Sequence, residues 1–193
     1  MTTTNSSLTD YRLLGKTGLK VSPLTLGAMS FGWGADKDVS KQIFSRYLEA
    51  GGNFVDTADT YSNGGSEEWL GDFIRETGSR DQVVLSTKFS FNMAPGNPNA
   101  GGNGRKNIHR AIEVSLKRLK TDYIDLYYLH AWDTVTPVEE VMATANDLVR
   151  QGKVLHVGLS DVPAWYASRA QTMGLSFTQL KLSVEWLAYH HAA

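Results

Sequence analysis

Short runs of β-branched, aliphatic and aromatic residues recur along the chain about every 30 residues, the length of one βα unit. They begin at Thr25 (TLGAM), Phe54 (FVDTA), Val83 (VVLSTKF), Ile124 (IDLYYLH) and Val154 (VLHVGLS), with a weaker sixth near Leu180 (LKLSVEWLA). Between them lie SKQIFSRYLEAGG, SEEWLGDFIRETG, KNIHRAIEVSLKRLK, VEEVMATANDLVRQGK and PAWYASRAQTMG. Apolar residues in these segments recur three and four positions apart, the spacing of one helix face. Glycine closes four of the five segments, a helix stop signal. The nearly continuous apolar strands predict a parallel sheet buried on both faces.

Two departures from the period add detail. NMAPGNPNAGGNGR predicts a long loop between the third strand and its helix. It lies on the face where α/β proteins build their sites, and reads either as part of a site or as a tolerated insertion. Ahead of the first strand, YRLLGKTGLKVS predicts a small hairpin turning at Lys16-Thr17-Gly18, placed to cap the bottom of a barrel.

Repeated βα units leave an open doubly wound sheet or a closed (β/α)8 barrel. The open fold's dinucleotide fingerprint belongs after the first strand, but LGAMSFGWGAD contains no G-x-G-x-x-G, and the later GGNG sits in the long loop. The expectation is therefore a single α/β domain over residues 1–193 of the TIM-type barrel class. It has an N-terminal β-hairpin cap and about six βα units, where a barrel needs eight.

Composition narrows the function classes. With 41% hydrophobic and 20% charged residues, the chain can build a core. A net charge of −1 without charged blocks gives no electrostatic reason to expect nucleic acid or an anionic membrane as partner. There is no cysteine, which removes thiol catalysis, disulfides and Cys-ligated zinc. His190-His191 alone is too little for a metal site. The polar start MTTTNSSLTD reads as a frayed tail over residues 1–9 rather than a leader, and a cytoplasmic location fits.

Three strands end on ionisable residues: Asp56 on the second, Lys88 on the third and His130 on the fourth, with Tyr61 on the loop after the second. In a parallel barrel such positions converge on one pocket. Taken singly, each has an ordinary reading as a turn former, surface lysine, core histidine or rim aromatic. Together they make a proton-donating device. An ammonium beside a tyrosine stabilises its phenolate, and an aspartate holds the ammonium. A neutral imidazole orients a carbonyl oxygen. Such a set can protonate an alkoxide forming on a carbonyl carbon. The hydride must come from elsewhere, which implies a nicotinamide cofactor.

The motifs YRLLGKTGLKVSPLTLGAMSFG, FVDTADTYSNGGSEEWLG, LSTKF, DYIDLYYLHAWD and GKVLHVGLSDVPAW resemble the aldo-keto reductase family over nearly all of residues 10–188. YSNGGSEEWLG and HAWD are nearest its bacterial, potassium-channel-β-subunit-like branch. The resemblance implies a (β/α)8 barrel that reduces an aldehyde or ketone with NADPH. It makes Tyr61 the general acid, Lys88 and Asp56 its tuning pair, and His130 the residue orienting the carbonyl. It also implies cofactor contacts at Gly27, Ala28, Met29, Asp56, Ser160, Asp161 and Ser183. Trp33, Phe89 and Trp132 are implied on loops shaping the substrate pocket. Asp161 stands where asparagine is commoner, and Ser183 where glutamine is. Relatives continue through two further βα units carrying the adenosine 2′-phosphate grip and a stacking aromatic. Without them the expectation is weak cofactor binding, little or no reductase activity and an open barrel edge available for self-association. The competing readings are an aldolase-like barrel using Lys88 as a Schiff-base nucleophile, a cofactor-sensing regulatory subunit, and an inert fragment.

Overall fold

The computed structural model of the chain describes residues 7–174 and 182–183. Of the tail expected over residues 1–9, residues 1–6 lie outside the described residues. Ser7 opens a turn in which its N–H donates to Asp10 Oδ2 at 2.8 Å. The expected hairpin follows: β1 (Arg12–Leu13) pairs antiparallel with β2 (Lys20–Val21).

The strands β3 (Leu26–Gly27), β4 (Phe54–Asp56), β5 (Val84–Phe89), β6 (Ile124–Leu129), β7 (Val154–Leu159) and β8 (Leu182–Ser183) form one sheet. Their spatial order is the order of the chain and every pairing is parallel. A doubly wound sheet would reverse its strand order at a switch point. The unbroken order is that of a barrel wall, so the described residues form part of a barrel with β3 and β8 at its two edges.

The helices are α1 (Lys37–Glu49), α2 (Gly65–Thr77), α3 (Arg105–Leu119), α4 (Val138–Arg150) and α5 (Ala164–Gly174). Asp36 caps α1 by accepting from the Val39 N–H at 2.9 Å, and Gly78 closes α2 with φ +63°. The one helix whose sequence lacks a closing glycine, α3, ends on Lys120 held left-handed at φ +55°. That residue's ammonium ion-pairs with Asp72 of α2.

Alternate strand residues face opposite ways, and two apolar clusters follow from it. On the outer face Val55, Leu85, Tyr127, Leu129, Val157 and Leu159 pack against helix residues including Leu70, Phe73, Ile112, Met142 and Leu148. On the inner face Phe54, Val84, Leu126 and Tyr128 meet Leu14, Leu19 and Val21 of the hairpin. Phe54 and Val84 begin their strands, so the hairpin fills the bottom of the wall, where the sequence placed it. At the other end, the strand C-termini stay open.

Candidate active site

Inner-face alternation carries four side chains to the open end. Asp56 closes β4 opposite Ser86 of β5, which puts Lys88 one inward residue further up, and His130 directly follows β6. The Lys88 ammonium donates to Asp56 Oδ2 at 2.5 Å, to the Thr57 carbonyl at 2.8 Å and to Tyr61 Oη at 3.5 Å. Those are three acceptors for its three protons. Ser86 Oγ donates to the other carboxylate oxygen of Asp56 at 2.6 Å, which fixes the pair from below.

Tyr61 reaches this group through an unusual turn. Ser62 and Asn63 have φ +50° and +54°, and Gly64 follows at φ +93°. Two ordinary residues in the left-handed region cost about 1 kcal/mol each, a local strain typical of functional loops. The turn is tied to the segment after β3 by Ser62 Oγ, which donates to the Phe31 carbonyl at 2.7 Å.

The His130 ring meets Tyr61 edge to face with centroids 5.8 Å apart, and Phe91 at 5.0 Å. Burial and the Lys88 charge push the imidazole down to about 4, so it is neutral near neutrality. Its Nδ1 has no hydrogen-bond partner among the described residues. A neutral imidazole, an amine-held phenol and an anchored ammonium can bind a carbonyl oxygen and deliver a proton to it.

These residues line a cavity of about 380 Å³, large enough for a small ligand or part of a larger one. Its wall includes Gly27, Asp56, Tyr61, Lys88, His130, Ser160 and Asp161. A β-carbon at Gly27 would meet nothing within 4 Å, so the cleft is open beside it. The pattern of the Aldo/keto reductase family matches residues 23–191.

The chain belongs to the aldo/keto reductase family. It is 41% identical over 177 residues to an aryl-alcohol dehydrogenase of Pestalotiopsis microspora, covering 86% of this chain and 46% of that protein. It is 46% identical over 164 residues to a norsolorinic acid reductase of Emericella nidulans, covering 79% and 42%. An NADP(+) aryl-alcohol dehydrogenase of Phanerodontia chrysosporium is 43% identical over 169 residues, covering 79% and 44%. The chain thus spans about half the length of the curated relatives it matches.

This aldo/keto reductase chain does not gather every residue expected at its site. Gly27, Ser160 and Asp161 join the tetrad at the cavity. Ala28 is fully buried, and its N–H donates to the Asp56 carbonyl at 2.8 Å. Met29 and Trp33 are 56% and 80% exposed and do not line the cavity. Ser183 lies in β8, its side chain outside the described residues. Phe89 is corrected outright. Lys88 faces inward, so its neighbour must face the helices, and Phe89 packs there on Tyr127 with centroids 4.9 Å apart. Trp132 likewise turns away, stacking edge-on against Trp165 of α5 at 5.5 Å.

Three residues at the site escaped the sequence reading. Tyr128 is the register partner of Lys88 and lines the cavity; its parity with Leu126 and His130 was the available signal. Gly158 lies opposite it in β7, and a β-carbon there would be 2.2 Å from the Tyr128 ring, so glycine is what lets that ring lie flat across the wall. Phe91, just before the long loop, meets His130 although the strand's parity would send it outward with Phe89, so no local pattern announced it.

Proposed function

We propose that this chain carries the acid–base centre of an NADPH-dependent reductase of aldehydes and ketones, with aromatic carbonyls as its substrate class. The observation that carries the reading is the Tyr61–Lys88–Asp56 line at 3.5 and 2.5 Å, open to a cavity. Tyr61 protonates the oxygen of the reduced carbonyl. Lys88 stabilises the phenolate left behind, and Asp56, held by Ser86, fixes Lys88 in place. His130 donates an N–H to the carbonyl oxygen and orients it. The aromatic class is supported by the names of two relatives, aryl-alcohol dehydrogenases. The finer placement beside the potassium-channel-β-like branch rests on YSNGGSEEWLG and HAWD alone.

The residues fit a nicotinamide ring. The cleft beside Gly27 is open, and Ser160 and Asp161 stand on the cavity wall with a hydroxyl and a carboxylate for a carboxamide. When bound, that ring supplies the hydride. Asp161, at φ +44°, accepts from an amide NH2 but has no proton to offer back when ionised. Lys88 is poorly placed as a Schiff-base nucleophile, because its nitrogen has no free lone pair while all three protons are donated.

The test incubates the chain with benzaldehyde and NADPH deuterated at the transferable position. The reading expects benzyl alcohol carrying one deuterium and no adduct after borohydride treatment. Borohydride-trapped aldehyde on Lys88 would establish Schiff-base chemistry instead. Bound NADPH without deuterium transfer would leave only a cofactor sensor, and absence of binding an inert chain.

A further inference from the structure

A second group of charges lies beneath the Tyr61 turn, on the far side of the same strands. Glu67, in the first turn of α2, is completely buried. Its Oε1 accepts from Thr87 Oγ1 at 2.7 Å and its Oε2 pairs with Arg118 Nη1 of α3 at 3.2 Å. Thr87 is the neighbour of Lys88 and points the opposite way. Arg118 Nη1 also donates to the Asp59 carbonyl at 3.2 Å. Its guanidinium carbon lies where a β-carbon on Gly64 would come within 2.2 Å, so the guanidinium touches the turn at both ends of Tyr61.

The turn's other side-chain anchors are Ser62 Oγ on the Phe31 carbonyl and, at its far end, Ser66 Oγ, which pairs with Thr57 Oγ1 and donates to the Ala28 carbonyl, both at 2.8 Å. Thr57 and Asp59 are tied to β5 through their N–H groups, at 3.0 and 3.1 Å. Beyond them the amides of Tyr61 and Asn63 make only local bonds, to Ala58 and Thr60 at 3.2 and 3.1 Å. Between the Ser62 and Ser66 anchors, the left-handed Asn63 leads into the left-handed Gly64, which stands against Arg118. The Tyr61–Lys88 separation of 3.5 Å is already at the limit of a hydrogen bond, so a small drift of the turn breaks it.

We propose that Arg118 is a positioning residue: anchored by Glu67, it fixes the turn so that the Tyr61 hydroxyl stays within reach of Lys88. This rests on the reading of Tyr61 as general acid. The anchor runs from Lys88's own strand through Thr87, Glu67 and Arg118 to the turn. The acid and the lysine that tunes it are thereby coupled outside the cavity.

The test is amide hydrogen exchange by NMR on the chain and its Arg118→Met and Arg118→Lys variants. Protection at Tyr61 and Asn63 is expected to fall about tenfold or more in Arg118→Met while β5 and β6 hold theirs. Arg118→Lys, which keeps the charge without the planar fork, should fall between. Turnover of benzaldehyde should drop on the order of tenfold or more with its KM unchanged, as for a misplaced catalytic group. An equal loss across turn and strands would reduce Arg118 to general support, and unchanged exchange in the turn would also overturn the proposal. If Arg118→Met does not fold, Glu67→Gln/Arg118→Met, which removes the Glu67 charge together with its partner, is read at the same amides. Wild-type turnover in Tyr61→Phe would refute the general-acid reading alone, since the exchange result does not depend on it.

Discussion

Two clusters of charge sit back to back across the same wall of strands. Inside are Asp56, Lys88, Tyr61 and His130; outside are Asp59, Glu67, Arg118 and Arg110. Both mix carboxylates with cations, and both are built on neighbouring residues of the same segments, Asp56 beside Thr57 and Lys88 beside Thr87. Only alternation along the strand separates them. The inner cluster opens on a cavity, with a quarter of the Asp56 side chain exposed. The outer one is packed between sheet and helices, where Glu67 has no exposure and Arg118 keeps a fifth of its side chain exposed.

Access to the cavity decides what each cluster is suited for. Burial pushes the Asp59 carboxyl up to about 7, with the nearby Glu67 adding to it and Arg118 opposing it. Burial likewise pushes Glu67 upward, against its bonds from Thr87 and Arg118. Asp59 Oδ1, Arg110 Nε and the Tyr127 hydroxyl are buried without partners among the described residues. A largely buried ionic group of this kind is costly to form and costlier to break. It therefore holds a shape. The inner cluster leaves one side of each group free for a ligand.

Substitutions should separate the two clusters. The largest effect is on chemistry: Lys88→Met should lower carbonyl reduction about 10²–10⁴-fold, the worth of a general-acid apparatus, while the melting transition stays cooperative. Steady-state turnover on benzaldehyde, with circular dichroism as the fold control, checks it. Next, Glu67→Ala should cost about 1–3 kcal/mol by removing the buried acceptor of Thr87 and Arg118, measured by urea unfolding. A loss under about 1 kcal/mol would mean that the outer cluster is solvated after all.

The smallest effect is a pair of opposed pH dependences. Asp59 titrates at about 7 when folded and at 3.8 as an ordinary carboxyl. Its contribution to stability is complete below about pH 4 and is lost as the pH rises to about 7. His130 titrates at about 4 when folded against an ordinary 6.5. Its contribution is complete above pH 6.5 and is lost as the pH falls to about 4. The two slopes oppose one another between those limits. Asp59→Asn should therefore make stability climb more steeply with pH from 4 to 6.5. His130→Asn should make it decline from 4 to 7, each by on the order of a few kcal/mol. Denaturant midpoints across that range decide the matter, and parallel curves would contradict the assignment.

How much of this was legible follows the same division. The period of the apolar runs gave the sequential βα order, and the residues ending three runs gave Asp56, Lys88 and His130, because strand ends are marked by composition. Glu67 and Arg118 lie within SEEWLG and SLKRLK, whose pattern predicts helices and singles out neither residue. Their burial depends on how closely α2 and α3 approach. A β-carbon on Gly71 would lie 2.5 Å from the Arg118 carbonyl oxygen, a closeness that no local pattern announces. Phe89 was misassigned for a simpler reason. The resemblance implied a pocket loop there, whereas β5 runs through Phe89 and its two-residue period sends that side chain to the helices. The long loop proved to be bound to the site's frame through Asn103, whose Nδ2 donates to the Ala131 carbonyl at 2.9 Å and whose Oδ1 accepts from Ser90 at 2.7 Å.

The claim that the inner cluster delivers a proton through Tyr61 is tested most directly by Tyr61→Phe, assayed for NADPH binding and benzaldehyde turnover in the same preparation. The account predicts cofactor affinity within about twofold of the parent and turnover lower by about 10²–10⁴-fold. Turnover equal to the parent's, with the cofactor bound, would contradict it.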